Sequence, residues 1–416
     1  MEKDDNIPQP STSGVGYVEE YVIDKTGPIQ DDDSGSEYPD ESNSESGEVE
    51  DTPHFIPERE DALSIFPHGG PIFTVDWSPS SQNLVATGGE EEKVFLWDVD
   101  TEKKILTIPD NDETLGESVS IVSFSPNGAK LAFCTLSGSV QIWDMNTKAK
   151  LLELDDCDGE INFLQWNSGS QGLVAGDSNS LVYIWSATTG NCRVLAGHQG
   201  AVTCGTFIGD GQTVITGSEN GALILWSVRT AEKLGQINTV PKGSHEDGSG
   251  VMCVKYNANH PQLVMYGKSN GNVGSAIVPQ CTLGHTFLGI HSDSVENIVF
   301  SPQCGDMHLA ASISIDSTVS IFDVKKNQVR GNKLVHPDTV TAAFFHPTLP
   351  HLITACFDGI LRVWDVTATQ CIASFVGHSA PIQALALSPD GRRAVTGSDD
   401  KTARVFDLEA RPEENE

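Results

Sequence analysis

Positive charge is what this sequence lacks most. Its 416 residues hold 25 Lys and Arg against 58 Asp and Glu, a formal net charge of −33 at pH 7. A field of that sign repels nucleic acid and anionic lipid and attracts basic partners. Long apolar runs are missing too, so no membrane-spanning helix is expected. The first residues, MEKDD, carry no apolar stretch of a secretory signal. The nine cysteines are odd in number and scattered, with no CxxC pair, which argues against a disulfide framework. Reduced thiols acting as small buried hydrophobes, in a cytoplasmic and also nuclear protein, are the expectation. GxGxxG, GxxxxGK[ST] and HExxH do not occur. His346 and His351 lie in a proline-rich turn, HPTLPH, and the runs Asp31–Asp33 and Glu90–Glu92 lack the alternation and glycine of a calcium loop. No catalytic centre, metal or cofactor is therefore expected.

What is present is a period. An aromatic residue returns at Trp97, Trp143, Trp185, Trp226, Phe322, Trp364 and Phe406, mostly 41 to 46 residues apart. The gap from Trp226 to Phe322 is 96 residues, which fits two periods. Several of these aromatics end an apolar run and precede Asp, as in FLWD (95–98), QIWD (141–144) and RVWD (362–365). A period of 40 to 45 residues with that ending marks a β-propeller, an all-β ring of four-stranded blades. Aligned on the aromatic, there are eight repeats. Their inner strands are expected to start near Ile72, Val119, Ile161, Val202, Val251, Val295, Val340 and Ile382. Their third strands end at the aromatics, with about Ser275 in the degenerate fifth repeat. A seven-bladed ring with an insertion at 228–293 is the alternative. The domains read as an acidic tail (1–60), the propeller (61–410) and a C-terminal tail (411–416).

Residues 1–60 carry 18 acidic and 3 basic side chains. Asp31 to Asp51 holds almost nothing a core could use, so this tail is expected to be disordered. Ser34 and Ser42 each have Glu three residues on, as in an acidophilic kinase site, although a solvating tail explains them as well.

The eighth repeat, GHSAPIQALALSPDGRRAVTGSDDKTARVFDL, shows the local logic. Gly377-His378 precedes an alternating strand, SPDG makes a turn, AVTGS is the second strand and TARVFD the third. This pattern resembles the WD40 family over about residues 62–408. The resemblance implies a buried relay from the His through a Ser/Thr and a turn Asp to the aromatic, matched here by His378, Ser398, Asp400 and Phe406. The turn Asp recurs at Asp316 and Asp358 but is replaced by Glu91, Ser137, Asn179 and Asn220 elsewhere, so few relays are complete. Such a buried pair is structural, not catalytic. The family's register also implies ring closure. Leu63–Phe66 should be the outer strand of the last blade, beside the strand ending at Phe406, which removes an exposed sheet edge.

In that register the second residue of each inner strand faces the channel mouth: Phe73, Ser120, Asn162, Thr203, Met252, Glu296, Thr341 and Gln383. Loops at the same end add Glu90, Glu91 and Glu92, then Asp110, Asp112, Glu113 and Glu117. They further add Asp155, Asp156, Asp158 and Glu160, then Glu246, Asp247 and Asp293. Carboxylates around a concave mouth focus negative potential and favour a Lys/Arg-rich protein or peptide, with Phe73 and Met252 as apolar anchors. Solubility is the plainer reading of such loops. The partner-facing set is thus Phe73, Glu90, Glu91, Glu92, Asp112, Glu113, Asp156, Asp158, Glu160, Met252, Asp293 and Glu296.

Three segments are more particular: TGGEEEKVFLWDVDTEKKIL (87–106), VTCGTFIGDGQTVITGSENGALILW (202–226) and the eighth repeat. With the acidic tail, they are similar to the angio-associated migratory cell protein family. The resemblance implies one of two non-catalytic roles. The first is chaperoning a large-subunit ribosomal protein in ribosome biogenesis, holding its basic N-terminal segment on the acidic face as the fungal member does. The second is a cytoplasmic scaffold in cell migration and angiogenesis. Either role is expected of a monomer with no direct contact to nucleic acid.

Overall fold

A computed structural model describes residues 56–110, 113–240, 249–278, 280–302 and 308–410. Most of the acidic tail, Asp112, Glu246, Asp247, Cys304 and residues 411–416 lie outside these. Among the described residues, 32 strands form eight four-stranded antiparallel sheets, with no helix. Seven sheets are meanders of four consecutive strands from inner to outer, and in the eighth the outer strand is the first strand of the chain. Inner strands of successive blades pack against one another all the way round, so the ring is closed and has eight blades. The degenerate fifth repeat is a full blade (Val251–Tyr256, Leu263–Lys268, Val273–Ile277, Thr282–Phe287). The seven-bladed alternative is thereby excluded.

All eight inner strands begin at the residues expected. Third strands run one residue past the aromatic, to Asp98, Asp144 and their counterparts, and to Ile277 in blade 5. The backbone ladder continues through the residue after the aromatic because that residue still pairs with the second strand, as Asp98 does with Leu84.

Blade-to-blade packing explains the Gly near the end of many second strands. A Cβ on Gly88, Gly176, Gly217, Gly267 or Gly397 would come within 2.5 to 2.7 Å of Val119, Val202, Val251, Val295 or Ile72, the first inner-strand residue of the next blade. The last of these pairs joins blade 8 to blade 1.

Closure follows the expected register with a one-residue shift. Ser64–Pro67 is the outer strand of blade 8 and pairs with Thr402–Asp407, Ser64 opposite Val405. Leu63 lies just before it and donates its N–H to the Val405 carbonyl at 2.7 Å. Phe66 is 1% exposed and stacks on Trp97 of blade 1 at 4.8 Å. A short strap precedes this strand. Arg59 Nη2 donates to the Ser374 carbonyl at 2.8 Å, and the Asp61 and Val376 backbones are joined through Asp61 N–H and carboxylate at 2.9 and 2.8 Å. Arg404 Nη1 binds Glu60.

Candidate peptide-binding face

In an antiparallel four-stranded blade, the start of the inner strand, the turn between second and third strands, and the end of the outer strand share one end. Three rings of residues mark this end. The first is the second residue of each inner strand. In every blade the inner–second pairing shifts register between the first and third inner residues. The residue between them is therefore a bulge residue, and a bulge re-aims a side chain. Phe73, Asn162 and Glu296 are exposed there, and Ser120, Thr203, Met252, Thr341 and Gln383 are half-buried. Some serve the ring itself. Asn162 Nδ2 donates to the Val202 carbonyl (3.0 Å), Thr341 Oγ1 to that of Ile382 (2.9 Å) and Thr203 to that of Val251, each in the next blade.

The second ring was not anticipated. In all eight blades the residue after the second strand donates its backbone N–H to the carbonyl of the residue before the inner strand. These residues are Glu90, Leu136, Ser178, Glu219, Ser269, Ile315, Phe357 and Asp399. Leu136 and Ile315 are 44% and 40% exposed, so the mouth end carries apolar as well as acidic groups. The signal was available in the eighth repeat, where Asp399 directly follows the expected second strand AVTGS.

The third ring is the loops between blades, and here the carboxylates divide. Some are engaged in the fold. Glu91 Oε2 accepts the Gly69 N–H at 2.8 Å, and Glu117 accepts that of Ser137 at 2.7 Å. The Glu117 hydrogen bonds, from the Ser137 hydroxyl first, hold its carboxyl below the usual range. Asp156 accepts the Trp185 indole N–H at 2.8 Å, and Asp293 accepts the Ser294 N–H at 2.7 Å. Others stand exposed at this end: Glu90, Glu113, Asp158, Glu160, Glu219 and Glu296. Glu92, half-buried, sits in the left-handed region at φ 58°.

Cations are distributed the other way. Lys103, Lys104, Lys130, Lys148, Lys150, Arg193, Arg229, Lys233, Lys325, Lys326, Arg392 and Arg393 all lie on the turns or strand ends of the opposite end. At the mouth end, Arg59 is bound to Asp61, Arg362 to Asp358, Arg404 to Glu60 and Lys333 to Asp316, and Lys268 is buried, while Lys93 and the exposed Lys401 stand in turns there. The channel mouth is therefore acid-rich, with its guanidinium groups neutralised and Lys401 exposed among the carboxylates.

Beneath the mouth lie the relays. In blades 1, 4 and 7 the Trp indole donates to a Thr hydroxyl (Trp97 to Thr87, Trp226 to Thr216, Trp364 to Thr354) at 2.8 to 3.0 Å. The hydroxyl in turn meets His68, His198 or His336 at 2.7 to 3.2 Å. In blade 8, His378 meets Asp400 at 2.8 Å and Thr396 at 2.7 Å. This corrects the expected role of Ser398, which instead donates to the Ala380 carbonyl. Thr396 lies two residues earlier on the same face of the strand, where its hydroxyl can reach the far ring nitrogen. Blade 3 departs furthest: Cys157 takes the His position, and Tyr183 donates to the buried Asp177 at 3.1 Å.

Burial keeps these imidazoles neutral. It lowers His68 to about 3, helped by Lys104, and His198 to about 4, helped by Lys233. Burial opposes charge on Asp400, but bonds from His378, Thr402 and Ser379 outweigh it and hold its carboxyl at about 2. Burial pushes the Cys134 thiol up to about 11 and the Cys192 thiol up to about 12, so neither is a nucleophile near neutrality. His346 Nδ1 accepts two backbone N–H groups, Thr348 (3.1 Å) and Leu349 (3.0 Å). Among the described residues no group of three or more His, Cys, Asp or Glu could hold a metal, and no helix is long and apolar enough to cross a membrane.

Comparison with known proteins agrees with this geometry. The WD domain, G-beta repeat model matches residues 190–227, 331–365 and 369–407, and the nucleolar protein 10-like N-terminal domain model matches residues 69–197. The human angio-associated migratory cell protein is 26% identical over 352 residues, covering 82% of this chain and 78% of that protein. A WD repeat-containing protein of Schizosaccharomyces pombe is 28% identical over 354 residues, covering 83% and 86%. Among solved structures, Chaetomium thermophilum Sqt1 bound to the N-terminus of the ribosomal protein L10 superposes with a TM-score of 0.73 at 21% identity, over 84% of this chain and all of that one. The chain is a WD40-repeat, eight-bladed β-propeller, similar to the angio-associated migratory cell protein and sharing its fold with Sqt1.

Proposed function

We propose that the acid-rich end of the ring binds a basic segment of a large-subunit ribosomal protein and shields it before assembly. The observation that carries this is the segregation of charge. Glu90, Glu92, Glu113, Asp158, Glu160 and Glu296 gather at the channel mouth while most Lys and Arg lie at the opposite end. A low-dielectric concavity lined by one sign focuses potential on an incoming chain of the other sign. Leu136, Ile315 and Phe73 supply apolar contact among the carboxylates, as a peptide-binding site requires. The fold shared with an L10-bound Sqt1 supports the reading. The role is non-catalytic, and the propeller (61–410), acting as a monomer in the cytoplasm and nucleus, is its unit.

The test is capture of partners from lysate at low and high salt, with the wild-type chain and with Glu90, Glu92 and Glu296 reversed to Lys. The expected result is one dominant basic ribosomal protein, lost at high salt because the Debye length shrinks from about 8 to about 3 Å, and lost in the variant. The similarity to the angio-associated migratory cell protein supports a second reading, a migration scaffold. Salt-insensitive recovery of signalling proteins would favour it.

A further inference from the structure

We propose that a recess between the strap and blade 7 receives one long basic side chain of the partner, which rests on the binding function just argued. The recess, a cavity of about 300 Å³, is walled by Ile56, Pro57, Ile360 and Val376, with Glu58, Asp358 and His378 completing its lining. Asp358 and Ile360 belong to the turn between the second and third strands of blade 7, and Val376 to the connection into blade 8. The recess therefore opens at the mouth end.

Its apolar character has a local cause. In blades 6 and 8 the position of Ile360 is Thr318 or Thr402, whose hydroxyl donates to the turn Asp at 2.6 Å. Isoleucine has no hydroxyl to return to the turn, and its side chain lines the recess instead. The opposite wall is held in place before any ligand arrives. Arg59 and Asp61 pin the strap to Ser374 and Val376.

The charges around it select the ligand. Three guanidinium groups are nearby in the fold, and each is already neutralised: Arg59 by Asp61, Arg362 by Asp358, and Arg404 by Glu60. Glu58 is exposed and makes no hydrogen bond or ion pair among the described residues. An anion would find no spare cation here, and an apolar side chain would leave Glu58 unanswered. A lysine or arginine answers both needs, its aliphatic stem against the walls and its head on Glu58.

The experiment uses the full chain and a fluorescent peptide of alternating lysine and alanine, titrated at several salt concentrations. Ile360→Thr should weaken binding about threefold to tenfold with unchanged salt dependence, since about 1 kcal/mol of apolar contact is lost. Glu58→Gln, an exposed change that does not endanger folding, should weaken binding and flatten its salt dependence. If both variants bind like wild type while Glu92→Lys with Glu296→Lys abolishes binding, the recess is overturned and the mouth stands. If the charge reversals also leave binding unchanged, the binding function itself fails.

Discussion

Arg362 donates to Asp358 through both terminal nitrogens, at 2.6 and 3.1 Å, and so keeps the turn carboxylate of blade 7 from His336. In blades 6 and 8 the corresponding Asp316 and Asp400 do meet their histidines, at 3.1 and 2.8 Å. Two further differences favour the exchange. Pro337 has no N–H to offer where Ser292 and Ser379 donate to the Asp, and Ile360 has no hydroxyl. His336, 4% exposed, is left with an Nδ1 that makes no hydrogen bond, although the Leu334 and Ser317 carbonyls favour a proton on the ring.

Arg362→Gln should let Asp358 turn to His336 and complete that relay. The expected readout is a new downfield Nδ1–H resonance from His336, with a stability loss under about 2 kcal/mol, because the carboxylate finds another partner. A loss of 3 to 5 kcal/mol with no new resonance would mean that Asp358 is stranded, as a broken buried pair usually is.

Gly217 has no positive φ to explain it, only lack of space: a Cβ there would lie 2.7 Å from both Cys204 Sγ and Val251 Cγ1. Gly217→Ala should therefore destabilise by about 1 to 3 kcal/mol through overpacking. Gly169→Ala is the control, since its Cβ would meet nothing nearer than Asn167 at 3.9 Å. Thermal melts of the two variants should separate clearly.

The fold was legible because each blade must repeat the same solution. Val or Ile at the start of the inner strand, a turn before the second, and an aromatic near the end of the third recur whatever lies between. The relay was less so. VTGS offers two hydroxyls, Thr396 and Ser398, and only the pleat decides which reaches His378. The acidic face was visible as a set of carboxylates, but not its division into working and exposed members. Glu91 and Glu117 look like their neighbours, yet each is committed to a backbone N–H about 20 residues away. The Glu60–Arg404 contact spans 344 residues, beyond what local spacing can suggest.

The buried histidines make the ring sensitive to acid. His198 titrates near 6.5 when unfolded but about 4 in the fold, chiefly through burial. Between those values the unfolded chain binds a proton that the fold does not, so stability falls as pH falls, by about 1.4 kcal/mol per pH unit for each such group. His68, at about 3, and His336, at about 4, act in the same direction. Asp76 opposes them. Burial raises its carboxyl to about 7, despite N–H bonds from Phe124 and Trp77, so it stabilises the fold as pH falls from 7 towards 3.8. Three groups outweigh one, and the urea midpoint should drop between pH 6.5 and 4.5. His198→Gln, which cannot titrate, should show a shallower drop; an unchanged slope would remove His198 from this account.

Ring closure depends on a few residues far from the rest of their blade. Removing residues 1–58 takes Ile56, Pro57 and Glu58 from the recess but leaves the Arg59–Asp61 anchors and the Ser64–Pro67 strand with its pairing. Removing 1–62 takes the strap alone, and with it the Glu60 that holds Arg404 while its Nη2 lies 3.8 Å from Asp400. Removing 1–68 also strips the outer strand from Thr402–Asp407 and takes Phe66 from beneath Trp97. Loss of a buried Phe alone costs about 3 to 5 kcal/mol, and the bared edge invites association between chains. Melting temperatures should be unchanged for the first truncation, slightly lower for the second and much lower for the third, with aggregation in the third only. Equal values for the first and third would show that the ring closes without this strand, and Phe66 would then be a passenger on blade 1.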